Sequence, residues 1–143
     1  MDQKVARNLS EFNRLVLACQ DEAYTLACYF LTNDAQAEAA MEEAVQIAFR
    51  CFSSDQIDCR LLIFKLVVEQ CRRQKPTPWS AAKSEIWHNL RFVSEQERMV
   101  LVLIDILGLS YSEVADVMGQ SVKEIGWLLC QARRRFVKVK GNF

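Results

Sequence analysis

Three Ser-x-x-Glu boxes crowd the last third of this chain, at Ser94–Glu97, Ser110–Glu113 and Ser121–Glu124. In such a box the Ser hydroxyl accepts from the backbone N–H three residues on, and the Glu carboxylate accepts in return from the Ser N–H. Each box therefore marks a helix start. Gly108 and Gly119 stand just ahead of the second and third boxes, where the preceding helices should stop, because glycine readily takes the left-handed conformation that closes a helix. These signals predict three short helices joined by tight turns, the last two in a helix-turn-helix arrangement. That geometry is a common way to hold a helix in the major groove of DNA.

The rest of the chain is also helical in pattern. Only four Gly and two Pro occur in 143 residues. From Ser10 to Leu31 the apolar residues Phe12, Leu15, Val16, Cys19, Ala23, Leu26, Ala27 and Phe30 recur mostly at gaps of three and four, which gives one stripe on a helix. Asn33 and Asp34 offer a cap for a second helix, whose stripe is Ala40, Met41, Ala44, Val45, Ala48, Phe49 and Phe52. Glu38, Glu42, Glu43 and Gln46 fall outside it. Ser53, Ser54 and Asp55 break the pattern, and a third helix runs from about Ile57 to Lys75, ending in Arg72, Arg73 and Lys75 as the helix dipole favours.

Pro76 and Pro78 end this first unit, since proline cannot continue a helix and constrains the residue before it. The expected organisation is all-α: a three-helix domain over 1–75, a linker over 76–93 with a short helix near Ala81–Trp87, and a helix-turn-helix domain over 94–143. Trp79 and Trp87 in the linker read either as packing back on a domain or as a contact for a partner.

Composition narrows the function classes. Lys and Arg total 18 and Asp and Glu total 18, so the chain lacks the strong basic excess of a dedicated nucleic-acid binder. Five basic residues nevertheless gather at Arg133, Arg134, Arg135, Lys138 and Lys140. Six cysteines show no CxxC pair and there is a single histidine, His88, so no metal or other cofactor is expected. Cys19, Cys51 and Cys130 sit among apolar positions and are expected to be buried thiols. With neither a signal-like N-terminus nor a membrane-length apolar run, the expectation is a cytoplasmic protein with no membrane contact. There is no Gly-rich phosphate loop and no nucleophile–base set. Glu42 with Glu43, or Glu95 with Glu97, cannot share a pocket at helical spacing. Enzymatic activity is not expected.

The stretch from Gly108 through Ser121 and Val122, followed by Gln131-Ala-Arg-Arg-Arg-Phe136, resembles region 4 of bacterial sigma factors of the small extracytoplasmic-function (ECF) group. The Ala132-Arg133 pair is typical of the end of that family's recognition helix. Ala37 to Phe49 is similar to the family's region 2.2 helix, which binds the clamp helices of the largest polymerase subunit, and Glu43 falls on its acidic position. Leu62 to Val67 fits the helix that follows. The resemblance implies that Glu38, Glu42, Glu43 and Gln46 contact core RNA polymerase. It also implies that Lys123, Glu124, Trp127, Gln131 and Arg134 lie at the downstream domain's promoter DNA surface, and that Arg72, Arg73 and Lys75 reach phosphates near the upstream one.

Departures from the family pattern matter equally. Ala39, Glu42 and Leu62 replace the usual Asp, Gln and Trp, while Val68 and Glu69 stand where Arg and Asn normally help to open and hold the promoter. Lys123-Glu124 replaces a Gly-Thr pair, Gln131 replaces an Arg, and Gly126, Trp127 and Leu128 occupy positions that would face the groove. Groove contacts rely on Arg, Lys, Asn and Gln, whereas an exposed Trp127-Leu128 patch would suit a protein. Two readings stay open: a sigma factor that binds core polymerase and directs promoter-specific initiation, or a sigma mimic that binds an anti-sigma protein or polymerase without reading DNA.

Overall fold

The computed structural model describes residues 3–31, 33–52, 58–74 and 93–140, which contain six α-helices and no strand. They are α1 (Gln3–Phe30), α2 (Asp34–Cys51), α3 (Cys59–Arg73), α4 (Glu95–Leu101), α5 (Tyr111–Met118) and α6 (Val122–Lys140). A π-helical turn, Val102–Ile106, continues α4. The chain divides into two compact units, Met1–Lys75 and Pro76–Phe143.

In the first unit α1 starts at Gln3 rather than near Ser10, extending the helix beyond the stretch that carries the apolar stripe. The Asn33 side chain caps α2, its Oδ1 accepting from the N–H groups of Ala35 at 2.8 Å and Gln36 at 3.3 Å. The buried seam of α2 is narrower than the apolar pattern suggested. It consists of Ala37, Ala40, Ala44 and Ala48, all fully buried, while Met41 and Val45 are half-buried and Phe49 is exposed. Methyl side chains along this seam let helix backbones approach closely.

Phe64, Ile63 and Val67 of α3 and Leu26 and Ala27 of α1 complete this core. Phe12 packs between Phe49 and Phe52 with ring centroids at 5.2 and 5.3 Å, a tilted arrangement that aromatic quadrupoles favour. Asp58 caps α3 by accepting from the Leu61 N–H. Arg60 then joins α3 to α1 through Glu22 at 2.9 Å and lies over the Phe64 ring.

The second unit is organised by its caps. Ser94 and Ser121 each accept from the N–H three residues on, that of Glu97 and Glu124 respectively, at 3.2 Å. Ser110 forms the complete reciprocal box with Glu113. Gly119 takes φ +67° after α5, and the Gln120 N–H bonds back to the Ala115 carbonyl, a Schellman-type closure that needs a left-handed residue. Val100, Leu103, Val114, Ile125, Leu129 and Ala132 form its core.

Several expectations are corrected. Cys19 is buried but Cys51 and Cys130 are exposed, because the helices turn those two positions away from their packed faces. Val68, at a position where the family carries a DNA-contacting residue, is buried. The expected helix near Ala81–Trp87, both linker tryptophans, His88 and Lys75 lie outside the described residues. Among the described residues no helix is long and apolar enough to cross a membrane, and no group of three His, Cys, Asp or Glu is placed to hold a metal ion.

Candidate nucleic-acid and protein interface

Each helical turn covers 3.6 residues, so α6 presents its positions in rows. Ile125, Leu128, Leu129 and Ala132 form the inward row, all under 9% exposed. Leu128 is therefore a core residue and does not join Trp127 in an exposed patch, as the sequence had suggested. Lys123, Trp127, Gln131 and Arg134 recur at gaps of four, four and three and form the outward row. Lys123 and Arg134 are exposed, Gln131 is half-buried, and Trp127 is 63% exposed. Glu124 is exposed one position around from Lys123.

The arginine run at the end of α6 is largely committed within the unit. Arg133 makes a two-pronged contact with Asp105 of the π-helical turn, at 2.6 and 3.2 Å. Asp105 holds the Arg133 guanidinium more firmly protonated than usual through that hydrogen bond. Arg135 reaches Glu97 at 3.4 Å. The Glu97 side chain is only 7% exposed, and its Oε2 is buried with no hydrogen-bond partner among the described residues. Glu97 thus caps nothing in return: its carboxylate turns inward to Arg135, which leaves the first Ser-x-x-Glu box half-formed. Of the three arginines, Arg134 alone has no ion-pair partner among the described residues.

Beside Trp127 lies an open groove of about 340 Å³, lined by Gln96, Gln120, Glu124, Trp127 and Leu128. Trp127 and the edge of Leu128 give it apolar surface, while two amides and one carboxylate supply its polar groups. Gln96 belongs to α4 and Gln120 to the turn before α6, so the groove spans the junction that the capping boxes create.

In the first unit Glu38, Glu42, Glu43 and Gln46 are all exposed on α2, on the side away from the alanine seam. Glu38, Glu42 and Gln46 fall in one row at gaps of four, with Glu43 beside it. Arg72 and Arg73 are exposed at the end of α3, and Arg73 pairs with Glu69 at 2.8 Å along the same helix. The structure thus groups the α2 residues into one face and most of the α6 residues into one row.

Sequence reasoning missed Asp105 and the inward role of Glu97. A signal for the first existed: Asp105 is the lone charge in the run Met99 to Leu109, and a carboxylate in apolar surroundings needs a partner. Nothing in the sequence marked Gln96 as a groove wall.

Residues 91–136 match the family model described as Sigma-70, region 4. Among solved structures the chain is similar to CnrH in complex with the cytosolic domain of CnrY, with a TM-score of 0.84, 21% identity and coverage of 98% of this chain and 94% of that one. It is also similar to the sigma factor RpoE in complex with the anti-sigma factor NepR from Bartonella quintana, with a TM-score of 0.75, 16% identity and coverage of 92% and 97%. No curated protein matches at the sequence level. At these identities the structural likeness is one of fold, two helical units, and the stretch that matches the region 4 model lies in the second.

Proposed function

We propose that the chain is an ECF-type sigma factor-like transcription regulator, acting in the cytoplasm, that binds core RNA polymerase and directs promoter-specific initiation. The observation that carries this reading is the turn between α5 and α6, with the Gly119 closure and the Ser121 cap inside the region 4 match. The turn presents an outward row containing Lys123, Gln131 and Arg134 for DNA. The exposed row Glu38, Glu42 and Gln46 with Glu43 offers an acidic docking face for the polymerase clamp helices. Arg72 and Arg73 extend from α3 as phosphate contacts. An anti-sigma protein is the second expected partner, since both solved relatives are seen with proteins bound to them and NepR is an anti-sigma factor.

A second reading, the sigma mimic, is favoured by one specific observation. The reading row of α6 displays a bare tryptophan, and two of the helix's three arginines are paired with carboxylates of the same unit. Such a chain would occupy an anti-sigma protein or polymerase without reading a promoter.

The test mixes the purified chain with core polymerase from its host, follows co-elution, and then measures transcription from fragmented genomic templates. Co-elution with discrete start sites is the expected result. Co-elution without specific transcripts, or binding only to an anti-sigma protein, would select the mimic. Failure to engage either partner would overturn both.

A further inference from the structure

We propose that the groove beside Trp127 is a peptide-docking site, and that its occupant is a helix offering one bulky apolar side chain flanked by Lys or Arg. The inference rests on neither polymerase nor promoter binding, and it names a site that region 4 likeness alone does not assign.

Three observations carry it. Trp127 is 63% exposed at the lip of a groove whose other apolar surface, Leu128, is 8% exposed. Leaving an indole in water forgoes the favourable transfer of a large apolar surface, and tryptophan is among the commonest anchors of binding energy at protein interfaces. The volume, about 340 Å³, is near the lower end of ordinary binding pockets, about 300–1,000 Å³, and suits a side chain entering from above.

The third observation is charge. Among the described residues the single ionisable group lining the groove is the Glu124 carboxylate, which is exposed and makes no ion pair with any of them. Gln96 and Gln120 add amides that accept as well as donate. Lys123, the neighbouring cation, does not line it. A phosphate finds no cation in this lining, whereas an ammonium or guanidinium meets a charge-assisted acceptor. The apolar anchor and the acidic rim together select a cationic amphipathic helix, the helix-in-groove mode of recognition.

The experiment selects a displayed library of short helical peptides against the full chain and, in parallel, against Trp127→Ala. Selected peptides are then titrated against the wild type, Trp127→Ala and Glu124→Gln, with the indole N–H resonance of Trp127 as the reporter. Trp127 is exposed, so its replacement leaves the fold intact, which circular dichroism checks. Enriched sequences should carry a bulky apolar residue beside Lys or Arg, move the Trp127 resonance, and lose about tenfold or more in affinity to Trp127→Ala. Glu124→Gln should weaken the cationic peptides while sparing uncharged analogues. Equal enrichment on wild type and Trp127→Ala would overturn the proposal, as would acidic or uncharged consensus sequences. So would a Trp127 resonance that moves only with duplex DNA, or only with protein concentration through self-association. None of those results bears on polymerase co-elution, so the two readings fail separately.

Discussion

Gly126 sits inside α6, where the missing side chain raises the entropy lost on helix formation. A Cβ built there would meet the Tyr111 Cε2 at 3.7 Å, an ordinary van der Waals contact, and the residue is not in the left-handed region. Gly126→Ala should therefore stabilise the second unit by about 0.5–1 kcal/mol, seen as a higher urea midpoint at unchanged slope. Cys19 offers a different residue-scale test. Burial pushes its thiol up to about 11 from an ordinary 9.0, with Cys59 and Glu22 adding to the effect. Below pH 9 both folded and unfolded forms are protonated and this contribution to stability is complete. Between about 9 and 11 only the unfolded chain releases the proton, so stability falls as pH rises through that window. Measured against Cys19→Ala, the wild type should show the steeper decline. Leu128 teaches the reverse lesson about reading positions. The family's contact positions would place it outside, but the 3.6-residue period places it in the row of Ile125, Leu129 and Ala132, and burial follows the period.

At the scale of the element, the boundaries that local chemistry specifies were legible in advance. Asn33, Ser94, Ser110 and Ser121 all cap helices as their types require, because a short polar side chain beside a free N–H needs no tertiary information. Ser110→Ala should cost about 1 kcal/mol. Gly119→Ala, which must hold φ near +67°, should cost about the same or more. Both are read by chemical denaturation, and neither should alter the helical spectrum at low denaturant. What escaped the sequence depends on packing. The start of α1 lies ahead of the apolar stripe from which the helix is read, and the π-helical turn at Val102–Ile106 sits in an apolar run that suits an α-helix equally well. That wide turn carries Asp105, the partner of Arg133. The inward turn of Glu97 likewise depends on Arg135, nearly forty positions away in the chain. Arg135→Ala strands a buried carboxylate and should cost about 1–3 kcal/mol, whereas Arg135→Ala with Glu97→Gln should recover part of the loss in a double-mutant cycle.

For the whole molecule, charge sets the expectations. The 18 basic residues are matched by 18 acidic ones, and Arg133 and Arg135 are paired within the second unit, so no strong basic excess is left to displace counterions from DNA. Binding to non-specific duplex should be weak. Its logarithmic salt slope should be shallow, about −2 to −4 at roughly 0.9 per phosphate contact, measured by fluorescence anisotropy across a salt series. A slope steeper by about 2 would mean that Arg133 and Arg135 leave their carboxylates for phosphates on contact, at roughly 0.9 each. Each compact unit has its own apolar core, so residues 1–75 and 76–143 made separately should each give a helical spectrum and a cooperative melt.

The two paired arginines have one more consequence, which is mechanical. Arg133 and Arg135 lie two positions apart and point to nearly opposite sides of α6, while their partners, Glu97 and Asp105, are eight positions apart in the chain. A rod gripped at one point pivots, but one gripped on both flanks resists rolling. From that grip to Lys123 the helix runs on for about 15 Å at 1.5 Å per residue. Ile125 and Leu129 bed that segment in the core, so its register about the helix axis is fixed at both ends, by apolar packing at one and by paired charge at the other.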